Sequence, residues 1–258
     1  MGARVVRMAS LEDCQWADVI VVVKRLPADL LQRIRQSGRP WIYDIVDAYP
    51  QPGCSAWDRQ EAVSWAQAHL AALAPSAVVW PCRQMSMDVS GEMEGKEIYH
   101  HHRPGIRRNP VRDTIKKVGY EGSPGYIQGW LPAITKACRR IGAEFVLNPA
   151  ELADVDVVLA LRDGAHAGYP QRSWKSNVKL ANAHGSGTPF IGMREPGYEE
   201  TATGLEHWAT NEAELELAIA HLQAKSSREP VSEAFLQAAL PIERIAKEYR
   251  QWIEALRF

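Results

Sequence analysis

Short apolar runs alternate along this chain with longer segments whose apolar residues recur every three or four positions. Runs such as ADVIVVV at 17–23 are rich in β-branched residues, which is typical of strands buried on both faces of a parallel sheet. The alternation predicts an α/β fold. The predicted strands are 17–23, 41–49, 76–81, 96–102, 113–122, 144–148, 153–164 and 188–193, and the predicted helices are 27–38, 56–73, 123–142, 211–223, 241–256 and one that begins near Ser176.

The same pattern occurs twice. ADVIVVVKR at 17–25 is echoed by ADVDVVLALR at 153–162, and each follows a predicted helix and ends in a cation. The proline- and arginine-rich stretch RPGIRRNPVRD at 103–113 lies between them. We therefore expect two Rossmann-like domains, residues 1–108 and 109–240, followed by a last helical segment, 241–258. Two such domains would place a binding cleft between the carboxyl ends of their strands.

Composition restricts the class of protein further. The 258 residues are 46% hydrophobic and 24% charged, with a formal net charge of −1, so the whole molecule has no pull toward nucleic acid or membrane. The four cysteines are widely spaced and show no zinc-site spacing, which favours reduced thiols and no bound metal. The N-terminus lacks the apolar core of a signal peptide, and no apolar run is long enough to span a bilayer. We expect a soluble cytoplasmic protein.

One stretch raises a question about charge. In KSNVKLANAHGSGTPFIG, residues 175–192, Ser176 is a predicted N-cap, and Lys175 and Lys179 lie at the positive end of the helix dipole. Cations are disfavoured there unless an anion binds at the helix N-terminus. The two interpretations are an anion site and a surface turn with two solvated lysines.

The second half resembles a known family in KKVGYEGSPGY, ADVDVVLALRDG and KSNVKLANAHGSGTPFIGMREPGYEE. Taken in order, these segments are similar to the donor domain of GT-B glycosyltransferases. The resemblance covers residues 113–203 well and the first half loosely. It implies two Rossmann-like domains facing a cleft and a last helix that packs back on the first domain. It also implies a nucleotide-sugar donor, with a UDP-sugar as the leading candidate, and no permanently bound cofactor.

The resemblance implies a donor site built from the second half. Lys179 would pair with the donor diphosphate, Gly122 and Ser123 would let a second helix N-terminus approach it, and Arg162 would add a cation. Many retaining members carry two glutamates at the positions of Trp174 and Asn182, so retaining or inverting chemistry stays open. The full set of donor-binding candidates is Gly122, Ser123, Arg162, Ser176, Asn177, Lys179, Asn182, Tyr198 and Glu199, with Glu200 as an alternative to Glu199.

Candidate chemistry in the first half lies at strand ends. Asp47 ends the predicted strand 41–49 and is the first candidate for a base or an acceptor ligand, and His101 in the YHHH segment is the next. Arg103, Arg107 and Arg108 belong to the one strongly basic stretch of the chain. That stretch is interpreted as a solvated linker, as a cationic path for the donor, or as a contact for a polyanionic acceptor such as DNA.

Three functions fit these observations. The first is transfer of a sugar from a nucleotide diphosphate to a hydroxyl of a glycan, protein, small molecule or modified DNA base. The second is a nucleotide-sugar epimerase, and the third is a non-catalytic nucleotide- or DNA-binding module with the same fold.

Overall fold

A computed structural model describes residues 2–47, 56–166 and 168–256 of the chain. The first part forms a parallel sheet in the order β1-β2-β3-β4. Its strands are β1 (Ile20–Val23), β2 (Trp41–Asp44), β3 (Ala77–Trp80) and β4 (Gly95–Glu97). The helices between them are α1 (Leu11–Trp16), α2 (Ala28–Ser37), α3 (Arg59–Leu73) and α4 (Arg83–Val89).

The second part forms a separate parallel sheet in the order β6-β5-β7-β8-β9. Its strands are β5 (Lys117–Tyr120), β6 (Glu144–Leu147), β7 (Val157–Ala160), β8 (Phe190–Gly192) and β9 (His207–Trp208). The helices are α5 (Leu131–Ile141), α6 (Tyr169–Ser173), α7 (Val178–Ser186), α8 (Pro196–Glu199), α9 (Glu212–His221), α10 (Lys225–Ala238) and α11 (Ile242–Ala255). The predicted α/β class with two parallel sheets is confirmed.

The last helix, α11, packs on the first sheet rather than on the second. Ile245 and Trp252 join a buried cluster with Ile42 and Val79, which come from the face of the first sheet opposite α2 and α3. The expected return of the C-terminal helix to the first half is therefore confirmed. The domain boundary at residue 108 stays a prediction; the linker between β4 and β5 contains it.

Three local predictions were wrong. The run 17–23 is not buried on both faces, because β1 is an edge strand whose Val21 and Val23 are exposed. The strand predicted at 96–102 ends at Glu97. The helix predicted at 123–142 starts at Leu131, after two short 3₁₀ turns, because Pro132 lacks an N–H and is accommodated in the first turn.

The three cysteines that the structure describes, Cys14, Cys82 and Cys138, are buried free thiols, as the sequence predicts. Cys54 and the predicted strand end at 48–49 lie outside the described residues, as do residues 257–258 of the last segment.

Candidate functional site

The site lies where the carboxyl ends of the two sheets meet. In the second sheet the strand order reverses between β5 and β7, and ligands of open parallel sheets bind at such a switch point. Glu121 follows β5 directly, and Arg162 is the second residue after β7. Asp47, which follows β2 of the first sheet, reaches this place through an ion pair with Lys175. The ends of both sheets thus contribute side chains to one cleft.

The N-terminus of α7 opens into this cleft. Asn177, and not Ser176, occupies the N-cap position, and no side chain of the described residues caps the first turn. The Asn177 side chain accepts the backbone N–H of His100 instead, at 2.8 Å. Ser176 is buried beside it. The predicted N-cap was therefore wrong by one residue, and the first-turn N–H groups of α7 remain available to a ligand.

Three cations converge on the start of α7. Burial and then the nearby Arg162 lower the pKa of Lys179 to about 8, and Lys175 adds to the repulsion. The Lys179 ammonium lies 4.2 Å from the centre of the Tyr120 ring, so a cation–π contact offsets part of the cost. Burial and neighbouring cations thus destabilise the protonated form of this lysine, and an anion bound in the cleft would stabilise it.

A buried carboxylate, Glu195, completes this centre. Its Oε1 accepts both Nε and Nη2 of Arg162, at 3.1 and 3.0 Å. Its Oε2 is buried and has no hydrogen-bond partner in the described part of the chain. Burial raises the pKa of Glu195, while Arg162 and Lys175 oppose that shift. An orphaned carboxylate oxygen at a strand end is a ready acceptor for a ligand hydroxyl.

Glu195 was missed by the sequence reasoning, which chose Glu199. Glu199 is half-exposed and pairs with Arg194 at 2.9 Å. Glu200 accepts the backbone N–H groups of Arg83 and Gln84, so it caps α4 of the first half. The signal that points to Glu195 is its place three residues after β8, where functional side chains of parallel sheets gather.

Asp47 lies in the cleft as expected, although the strand that carries it ends earlier, at Asp44. The Lys175 Nζ is 2.9 Å from its Oδ1, and the Lys24 Nζ is 3.8 Å from its Oδ2. His101 has its Nδ1 2.6 Å from the carbonyl of His102.

We call the connected ionisable groups of this region the cleft cluster. Ion pairs and electrostatic contacts join its members, including a pair between Arg103 and Glu121 at 3.4 Å. Among the described residues the cluster holds five cations and three carboxylates, an excess of two positive charges. The members are Lys24, Arg103, Arg162, Lys175, Lys179, Asp47, Glu121 and Glu195.

The glycine turn after β5 differs from the expectation. Gly122 has a φ of 143°, and its N–H donates to the Asn148 side chain at 2.7 Å. Ser123 is exposed and precedes a three-residue 3₁₀ turn, with no side-chain cap. Gly122 and Ser123 therefore line the cleft edge without an α-helix N-terminus behind them, which corrects the proposed second phosphate-binding helix.

Two further donor candidates have structural partners. Asn182 accepts the backbone N–H of Arg103 at 2.8 Å and so holds the linker against α7. Tyr198 is buried against Phe190, and burial raises its pKa well above the ordinary value.

Trp174, at the position where many family members have a glutamate, is also buried. Its indole N–H donates to Asp88 of α4 at 2.8 Å. This contact ties the approach to α7 to the first half.

The basic stretch does not form one continuous cationic surface. Arg107 pairs with Asp154 at 3.0 Å, and Arg112 binds the buried Asp156. Arg108 lines an open pocket beside α10, away from the cleft cluster. Of the three candidate arginines Arg103, Arg107 and Arg108, Arg103 alone joins that cluster in the described part of the chain.

Several solved protein structures are similar to this chain. No protein-family model and no curated protein sequence matches the chain. Among solved structures, Anabaena HepE with UDP and glucose has a TM-score of 0.65 at 13% identity, over 95% of this chain and 80% of that one. Sucrose-phosphate synthase from Thermosynechococcus elongatus scores 0.62 at 14% identity, over 93% and 74% of the two chains. AviGT4, a glycosyltransferase of avilamycin A biosynthesis, scores 0.56 at 16% identity, over 96% and 78%.

The chain has the GT-B fold. The family resemblance expected from the sequence is confirmed at the level of fold, which is what likeness at these identities shows. In this GT-B fold the cleft cluster lies between the two sheets.

The described ranges contain no candidate for a membrane span or a metal site. In residues 2–47, 56–166 and 168–256, no helix combines the length and apolar character that crossing a bilayer requires. Nor is any group of three or more His, Cys, Asp and Glu side chains in that part of the chain placed to hold a metal ion.

Proposed function

We propose that this chain is a glycosyltransferase that moves a sugar from a nucleotide diphosphate donor, a UDP-sugar first among them, to a hydroxyl acceptor. The observation that carries the proposal is the cleft cluster, whose excess of two positive charges surrounds the uncapped N-terminus of α7. A sugar diphosphate diester carries two negative charges and suits such a site. The likeness to HepE, solved with UDP and glucose, supports the choice of donor.

The residues proposed to bind the donor all belong to the second part of the chain, around the second sheet. Lys175, Lys179 and Arg162 would bind the diphosphate, and they would stabilise the negative charge that grows on it as the glycosidic bond breaks. The free Oε2 of Glu195 would accept a hydrogen bond from a donor hydroxyl.

Asp47 is the proposed base on the acceptor side. In the structure its carboxylate is engaged by Lys175. A diphosphate that binds Lys175 would compete for that contact and release the carboxylate to take the acceptor proton. His101 is the second candidate for this role.

The acceptor is a hydroxyl compound, and DNA is one candidate. Because Arg107 and Arg112 are paired within the chain, strong non-specific attraction to DNA is not expected. Filter binding to duplex DNA at two salt concentrations tests this candidate. Charge reversal at Arg107 and Arg108 should weaken any such binding across all sequences, and no binding at the lower salt concentration ends the DNA candidate.

Calorimetric titration with UDP-, GDP-, TDP-, ADP- and CDP-sugars tests the proposal directly. At least one donor should bind, and Lys175→Ala should weaken it by about ten- to a hundredfold, since a charge-assisted contact contributes about 1.5–3 kcal/mol. Lys225→Ala is the matched control, because Lys225 lies on α10 and pairs with Asp113 outside the cleft. Failure of every donor to bind would contradict the proposal.

A second candidate function is a non-catalytic nucleotide-binding module of the same fold. It is favoured by Trp174 and Asn182, which have structural partners where many family members present glutamates. Tight donor binding without release of the nucleoside diphosphate, over a broad panel of acceptors, would select it. Release of the nucleotide without any acceptor would favour an epimerase instead.

A further inference from the structure

The loop that carries Asp47 has a strained backbone. Val46 has a φ of 69°, in the left-handed region that β-branched residues rarely adopt. The N–H of Asp47 donates to the carbonyl of Ile45 at 2.8 Å, which closes a three-residue γ-turn around Val46. Such a conformation persists only where the surroundings hold it in place.

Two side chains hold this turn from opposite sides. The carboxylate of Asp44, at the end of β2, lies beside the backbone N–H of Val46, which lowers the pKa of that carboxyl. His100 lies on the other side, with its Nε2 3.0 Å from the Val46 carbonyl oxygen. A carbonyl oxygen only accepts, so Nε2 of His100 carries the proton. The carbonyl oxygen of Val46 therefore has a hydrogen-bond donor, and its backbone N–H faces a carboxylate.

Each of these two side chains is fixed by a more distant element. The backbone N–H of His100 donates to the Asn177 side chain at the start of α7. The buried Asp44 accepts a hydrogen bond from the hydroxyl of Tyr249, which belongs to α11. Burial raises the pKa of Asp44, and the bond from Tyr249 opposes that shift. The strained turn is therefore tied to the last helix on one side and to the donor half on the other.

We propose that Tyr249 is a positioning residue for Asp47, acting through Asp44 and the Val46 turn; its catalytic meaning rests on the proposed function. Loss of the Tyr249 hydroxyl leaves the buried Asp44 carboxylate without its donor from α11. Asp44 then shifts, the hold on the Val46 N–H weakens, and the turn relaxes. Asp47 moves out of its 2.9 Å contact with Lys175 as a result.

The decisive experiment needs no turnover. The full chain is labelled with an amine-reactive ester at pH 7, and the modification rate of each lysine is measured by mass spectrometry. In Tyr249→Phe, the rate at Lys175 should rise about three- to tenfold, as expected when one hydrogen bond stops protecting the ion pair. The rate at Lys179, whose ammonium lies 4.2 Å from the centre of the Tyr120 ring, should stay unchanged.

Trp252→Phe is the matched control, because Trp252 packs α11 on the same sheet through a cluster of apolar side chains. It should lower the stability of the helix contact while leaving the Lys175 rate at the wild-type value. An unchanged Lys175 rate in Tyr249→Phe, or an equal rise in Trp252→Phe, would overturn the proposal.

Turnover provides a separate measurement. With a donor and acceptor that the wild type uses, Tyr249→Phe should lower kcat about three- to tenfold with the donor KM unchanged, and an unchanged kcat would overturn the catalytic part. If the wild type binds no nucleotide sugar, the proposed function fails. The labelling result then still decides whether Tyr249 positions Asp47.

Discussion

Replacing Lys179 by methionine should make the unliganded protein more stable and its donor binding weaker. Methionine keeps much of the side-chain length and removes the charge. In the folded chain, burial and the neighbouring Arg162 lower the pKa of Lys179 from 10.5 to about 8. The fold therefore carries a free-energy cost for holding this ammonium, as expected for a site built for an anion.

The size of that cost follows from the shift. A difference of roughly 2.5 pKa units at 1.36 kcal/mol each gives about 3 kcal/mol as an upper limit. Lys179 is half-buried, so solvent screening reduces the expected gain of Lys179→Met to about 1–3 kcal/mol at pH 7. Because the folded pKa lies below the unfolded value, the cost is full below pH 8 and disappears as the pH rises through 10.5. Lys179 thus makes wild-type stability rise over that window, and the variant lacks this contribution.

Donor binding should restore the charge. At pH 8 about half of the Lys179 side chains are neutral, so binding of UDP-glucose should take up about 0.5 proton per site. Calorimetry in two buffers of different ionisation enthalpy measures this uptake. At pH 6 the lysine is already protonated and contributes no uptake. Lys179→Met should abolish the uptake at pH 8 and weaken binding about ten- to a hundredfold.

Lys136→Met is the control, because Lys136 is exposed on α5 and paired with Glu212 and Glu216. It should change neither the proton uptake nor the donor affinity. A Lys179→Met variant that is less stable than the wild type at pH 7 would refute the reasoning about burial. A variant with wild-type proton uptake at pH 8 would exclude Lys179 from the donor site.

Three other outcomes are expected. Asp47→Asn should lower turnover about a hundredfold or more in steady-state assays while donor affinity is kept; intact turnover would place the base elsewhere. Burial raises the pKa of Glu206, but bonds from His184 and nearby backbone N–H groups outweigh it and hold the pKa at about 2. Denaturant titrations should therefore show stability falling as the pH drops from about 4.5 to 2, and a smaller fall in Glu206→Gln. Asp88→Ala should cost about 2–4 kcal/mol of unfolding free energy, because it leaves the buried indole N–H of Trp174 without an acceptor; a loss below about 1 kcal/mol would contradict this.

The alternation of elements was predictable from the sequence because it depends on local physics. Helix ends follow from glycines that adopt left-handed backbone angles, as Gly38, Gly142 and Gly187 do. The buried strands β2, β3 and β7 follow from continuous apolar runs. The edge position of β1 could not be predicted from the sequence, because a run of valines does not determine whether a strand is central or at the edge of its sheet.

The cleft itself was decided by tertiary structure. The charge conflict at Lys175 and Lys179 was visible in the sequence, but their partners were not. Asp47 lies 128 residues from Lys175, and Tyr249 lies 205 residues from Asp44. Glu195 becomes notable only once folding has buried it against Arg162, with one carboxylate oxygen that has no hydrogen-bond partner among the described residues. Local sequence fixes backbone preferences over a few residues, whereas burial and charge pairing depend on which distant segments the packing of two sheets brings together.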